Sequence, residues 1–127
     1  MAHRPAEGQA QVVVVASFTA THRILVGGEL EAVHGHDFRV LASFAVAEGE
    51  DPDPAIYLRP LASVLAALAH TDLGAVARAE RGHPSAERLA AYVHRALAAR
   101  GAAVRRVTAH EAPGCAASFS CPTQAQT

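Results

Sequence analysis

Apolar and polar residues alternate along two stretches of this chain and recur at helical spacing along two others. From Gln11 to Ile24, the β-branched run Val12 to Val15 leads into alternation through Phe18 and Ala20, the pattern of a strand. A second strand is predicted from about His34 to Ala47, where Phe38, Val40, Ala42, Phe44 and Val46 fall on one face at period two. Between them, Ile24 to Val33 carries Gly27-Gly28 and two acids and reads as a loop or irregular turn. The acidic, proline-bearing segment Glu48 to Pro54 is a surface connection.

Helical spacing then takes over. Leu61, Val64, Leu65 and Leu68 stand at i, i+3, i+4 and i+7, with Pro60 suited to a first turn. A second helix opens at Pro84-Ser85 and Glu87, turns Leu89, Val93 and Leu97 inward, and stops at Gly101. Ala102 to Glu111 and Cys115 to Ser120 read as a closing strand pair around Ala112-Pro113-Gly114, and the tail beyond is expected to fray. The order ββααββ predicts an α+β fold in which an antiparallel sheet carries two helices on one face.

Composition narrows what such a domain does. A chain of 127 residues makes one domain, here with a core from about residue 11 to 120. Hydrophobic residues are 50% of the chain, but 30 of them are Ala, so burial per residue is modest and oligomerisation is an expected source of added stability. There is no Lys, which excludes Schiff-base, pyridoxal-phosphate and phosphate-loop lysine chemistry and leaves Arg and His as the side-chain cations. A net charge of −1 offers no basic field for nucleic acid or an anionic membrane. The apolar stretches fall short of the roughly 18 to 20 residues that cross a bilayer, and the opening MAHRPAEGQAQ does not read as a secretory signal. A cytoplasmic protein with a small-molecule substrate is the expectation, and Cys115 and Cys121 are expected to be thiols.

The sharpest local feature is His34-Gly35-His36. Alternate residues on a strand face one side, with Cα atoms roughly 6.5 to 7 Å apart, so two imidazoles there can converge on one metal. His22, on the other arm of the predicted strand pair, is a candidate third ligand. Three histidines with an open fourth position is a way catalytic zinc is held. The other reading of the pattern is a pair of exposed histidines at a strand end.

Four segments carry a resemblance. FTATH (Phe18 to His22), HGHDF (His34 to Phe38), HPSAERLA (His83 to Ala90) and VTAHEAPGCAASF (Val107 to Phe119) resemble, in order and spacing, the 6-pyruvoyl-tetrahydropterin and 6-carboxytetrahydropterin synthase family. The resemblance implies a tunnelling fold, an oligomeric barrel (a hexamer or tetramer) with sites at subunit interfaces. It also implies Zn2+ held by His22, His34 and His36, where the metal acts as a Lewis acid on side-chain oxygens of the substrate. Glu111 matches the acid that anchors the pterin ring, a role suited to a carboxylate accepting two parallel N–H bonds.

Departures from the family pattern fall on the proton-transfer groups. The cysteine base found shortly before HGH in many members is missing, but a branch of the family places a glutamate three residues before the first His, where Glu31 stands; Glu29 is the reserve. An Asp-His pair is reduced to Ala69-His70, leaving His70 as a general acid with Asp72 as a nearby stand-in for the lost carboxylate. Tyr57-Leu58 replaces the usual Asp-Phe before the first helix. His83, His94 and His3 read as surface residues, and His110 is expected to face away from Glu111. The expected activity is a zinc-dependent carbon–oxygen or carbon–carbon lyase on the side chain of a pterin such as 7,8-dihydroneopterin triphosphate. The alternatives are the same metal fold acting on a non-pterin polyol or keto compound, and a pterin-binding module without turnover.

Overall fold

The computed structural model describes residues 9–121, which form an α+β domain. In chain order the elements are β1 (Ala10–His22), β2 (Leu25–Val26), β3 (Glu29–Leu30), β4 (His34–Val46), α1 (Ala55–Ala66), α2 (Gly74–Glu80), α3 (Ala86–Ala99), β5 (Val104–Ala112) and β6 (Cys115–Ser120). The main sheet runs β1-β4-β5-β6 with every neighbour antiparallel. Of the tail expected to fray, all but Cys121 lies outside the described residues.

Alternation decides which face is covered. β1 and β4 pair without interruption from Ala10↔Val46 to His22↔His34, so their even-numbered residues share one side. Val14, Phe18, Phe38, Val40, Ala42 and Phe44 are buried there, joined by Val107 and Ala109 of β5. Onto this face α1 packs against β1 and α3 against β5 and β6, delivering Leu61, Leu65, Leu89, Val93 and Leu97. Among the described residues the opposite face carries no helix, and Val13 and Val15 are exposed on it. Among the described residues no helix is long and apolar enough to cross a membrane.

The start and stop of α3 follow from side-chain chemistry. The Ser85 hydroxyl accepts from the Arg88 N–H at 3.3 Å, and Gly101 takes φ 82°, closing the helix with Ala102 N donating to Leu97 O.

Three features differ from the expected elements. α1 begins at Ala55, so Pro60 lies inside the helix and not in its first turn. Ile56 and Leu58 in that turn are exposed and fall off the buried face set by Leu61, Val64 and Leu65, while Tyr57 stacks on Phe44 at 4.8 Å. The helices number three among the described residues. α2 spans seven residues and buries only Val76, too little to show a period, and it begins where Asp72 Oδ1 accepts from Gly74 N at 2.8 Å. The loop between the first two long strands contains the small β2–β3 hairpin, whose turn uses Gly27 (φ 58°) and Gly28 (φ 84°), two positive φ values that suit glycine.

Candidate metal centre and ligand site

His22 closes β1 and His34 opens β4 as its register partner, while His36 lies two residues along β4 on the same face. The strand pairing therefore brings the three rings together. Their centroids are 4.6 to 4.9 Å apart, and one ligand nitrogen from each lies within 4.8 Å of the others. Phe38, next on that face, meets His22 and His36 edge-on at 5.4 and 5.5 Å and separates the cluster from the core.

Two of the rings have a fixed orientation. His22 Nδ1 donates to the Pro84 carbonyl at 2.8 Å, and His34 Nδ1 donates to the Ala32 carbonyl at 2.9 Å. Each bond leaves Nε2 as the bare acceptor nitrogen, the form in which imidazole binds a metal. His22 is 2% exposed, and its Nε2 has no hydrogen-bond partner. An orphaned, buried lone pair at a three-imidazole cluster fits a cation and is costly without one. The protonation of His36 is held below the usual histidine range by burial first, then by the neighbouring His22 and His34, so the neutral, ligating form is favoured.

Two acids border the cluster. Glu111 Oε2 lies 3.7 Å from His22 Nε2, and Glu31 Oε1 lies 3.6 Å from His34 Nε2. Glu31 is anchored by the hairpin: its carboxylate accepts from Ile24 N at 3.1 Å, and its own N–H donates to Ile24 O at 3.1 Å. Glu111 sits where β5 bulges, between His110↔Ala116 and Ala112↔Cys115. Glu29 is exposed at the hairpin.

Neither His70 nor Asp72 belongs to the three-histidine cluster. His70 adopts φ 60°, and its N–H donates to Thr19 O at 2.6 Å on the outer edge of β1, with Thr21 N donating to Thr71 O at 2.9 Å beside it. Its side chain is exposed at a cleft between β1 and α1, without contact to the three histidines. Asp72 is occupied by the α2 N-terminus and makes no hydrogen bond to His70. It instead borders a cleft of about 350 Å³ that reaches His22, with Arg23, Leu30, Val33 and His83 around it.

Other positions sharpen or correct the sequence reading. His110 does face the opposite side, beside Asp37 and Arg39. His94 is not a surface residue: it is 4% exposed, its ring meets Phe119 edge-on at 5.1 Å, and its Nε2 is unpartnered. The alternation of α3 hid this because a histidine scores as polar wherever it points. His83 is half-buried at the cleft. Two contributors were not foreseen. Pro84, read only as a helix-start signal, orients His22 through its carbonyl. Cys115 donates to Glu111 Oε1 at 3.4 Å, and that carboxylate pushes the thiol's pKa up.

Residues 11–121 match the sequence profile of the 6-pyruvoyl tetrahydropterin synthase family, and the chain belongs to that family. Its fold class and this membership place it among pterin side-chain lyases. The chain is similar to the Caenorhabditis elegans 6-pyruvoyl tetrahydropterin synthase at 18% identity and TM-score 0.70, covering 91% of this chain and 97% of that one. It is also similar to the Plasmodium falciparum enzyme at 18% identity and TM-score 0.64, covering 89% and 98%. A third similar structure is a Plasmodium vivax 6-pyruvoyltetrahydropterin synthase whose catalytic-residue glutamate is replaced by alanine, at 17% identity and TM-score 0.68, covering 89% and 98%. No curated protein sequence matches the chain significantly.

Proposed function

We propose that this protein is a zinc-dependent lyase acting on the side chain of a pterin such as 7,8-dihydroneopterin triphosphate. The observation that carries the reading is the three-histidine cluster with two tautomer-fixing backbone bonds and a carboxylate on each flank. His22, His34 and His36 would hold the ion, and three imidazole nitrogens are a donor set that suits zinc. When bound, the ion supplies Lewis acidity toward oxygens of the substrate's side chain.

The chain's own residues do the rest. Glu111 binds the aminopyrimidinone edge of the ring through its two oxygens, which sets the side chain over the histidines. Glu31 is the general base, since it stands next to His34 and no cysteine precedes the histidine pair. It takes a carbon-bound proton of the side chain, and the electron pair left behind forms a C=C bond as the neighbouring C–O bond breaks and triphosphate departs. That a Plasmodium vivax relative uses a glutamate as catalytic residue supports this assignment. His70, on the outer edge of β1, serves as general acid to a neighbouring copy's site, with the protein assembled as a hexamer or tetramer in the cytoplasm.

Incubating zinc-loaded protein with dihydroneopterin triphosphate tests the reading, which predicts a pterin product with a shortened or oxidised-level-rearranged side chain. No product, combined with pterin binding that is lost in Glu111→Ala, identifies a binding module instead. No pterin binding at all points to another polyol or keto substrate.

A further inference from the structure

We infer that Cys115 is a positioning residue that holds the Glu111 carboxylate in place beside His22. The inference rests on the reading above only in that Glu111 meets the ligand; the contact itself is independent of the ligand's identity. The two residues come together through strand register. On the helix-facing side, Val107 pairs with Phe119 and Ala109 with Ala117, and the next places on that side belong to Glu111 and Cys115. Regular pairing would set these two directly opposite, but the bulge pairs Ala112 with Cys115 and leaves Glu111 without a ladder partner. Gly114, at φ 80°, turns the chain so that β6 starts at once with the thiol.

The result is a carboxylate with one oxygen assigned to each side. Oε1 takes the Cys115 Sγ–H at 3.4 Å, and Oε2 lies 3.7 Å from the buried, unpartnered His22 Nε2. Among the described residues the thiol is the single hydrogen-bond donor to Glu111, and the Glu111 side chain is 20% exposed. The thiol is thus the hydrogen-bonding group that fixes the direction of Oε1, while Oε2 is left toward His22. The carboxylate keeps the proton on sulfur, so the thiol remains a donor. Cys115 reaches the histidine cluster only through Glu111, which makes it a positioning residue and not the missing base.

The test uses the zinc-loaded full chain with Cys121→Ser, so that one thiol reports. Iodoacetamide alkylation of Cys115 is expected to quicken about threefold to tenfold in Glu111→Gln, because losing the carboxylate lowers the thiol pKa. An unchanged rate overturns the inference. Binding of a dihydropterin, followed by fluorescence, is expected to weaken about fivefold in Cys115→Ala and to recover in Cys115→Ser, which keeps a donor at that place. In turnover the same variants are expected to raise KM with kcat unchanged. If Cys115→Ala binds the dihydropterin as well as the parent, the inference fails while the proposed function stands. If the parent binds no dihydropterin but the alkylation rate responds to Glu111→Gln, the pairing stands and the proposed function fails.

Discussion

The Pro84 carbonyl, one residue before the cap of α3, accepts from His22 Nδ1 at 2.8 Å, so the start of a helix orients a ring on the end of a strand. The residues of the HPS segment thereby serve two purposes: Ser85 caps α3, and Pro84 fixes the tautomer of the most buried histidine of the cluster. Removing the cap should disturb both. Ser85→Ala is expected to cost about 1 kcal/mol of stability, lowering Tm by roughly 3 to 6 °C. It should also weaken zinc binding by about twofold to threefold, less than the tenfold or more of losing an outer-shell partner outright, because the Pro84 carbonyl itself remains. Calorimetry and a competitive chelator titration measure the two effects separately.

Glu31→Gln separates chemistry from structure at the hairpin. The Gln carbonyl still accepts from Ile24 N, so the hairpin and the cluster are expected to survive with zinc content unchanged. Turnover is expected to fall by about a hundredfold or more, the loss of a general base. Unchanged turnover would remove Glu31 from that role.

His70 lines a cleft that none of the three histidines borders, which predicts sites shared between copies. His70→Ala and Glu31→Gln subunits are each expected to be nearly inactive, and co-refolded mixtures are expected to regain activity. Regain requires an interface that joins an intact Glu31 to an intact His70. Mixtures that stay as inactive as their components would confine the reaction to one chain.

Stability should depend on pH through His94. Burial is the main cause holding its pKa below the usual histidine value of 6.5, with Arg95 adding to the effect and the Arg105 backbone opposing it. The unfolded chain therefore binds the proton more readily than the folded one as pH falls below about 6.5. Stability is full above that pH and declines as pH drops toward the folded-state pKa. Thermal melts from pH 7.5 to 5 are expected to show this decline, and His94→Leu is expected to lessen it, the remainder coming from His36.

The sheet was legible because its periodicity is strong and uninterrupted. Phe38 to Val46 alternates along nearly all of β4, and the same alternation puts His34 and His36 on one side. What stayed hidden has physical causes. α1 starts six residues before Leu61 because its first turn buries little, and α2 is too short for a period. His94 was misplaced because burial of a histidine against Phe119 leaves no trace in a polar–apolar pattern. Pro84 and Cys115 act through a backbone carbonyl and a bulged register, neither of which is written in residue type. The contact of Glu111 with His22 depends on the strand order β4-β5, a long-range pairing that local spacing does not specify.

The central claim is that His22, His34 and His36 form a zinc site, and the zinc content of purified protein tests it most directly. About one zinc per chain is expected, falling to near zero in His22→Ala, His34→Ala and His36→Ala while the fold persists by circular dichroism. A stoichiometry well below one, or one that these substitutions leave unchanged, would contradict the account.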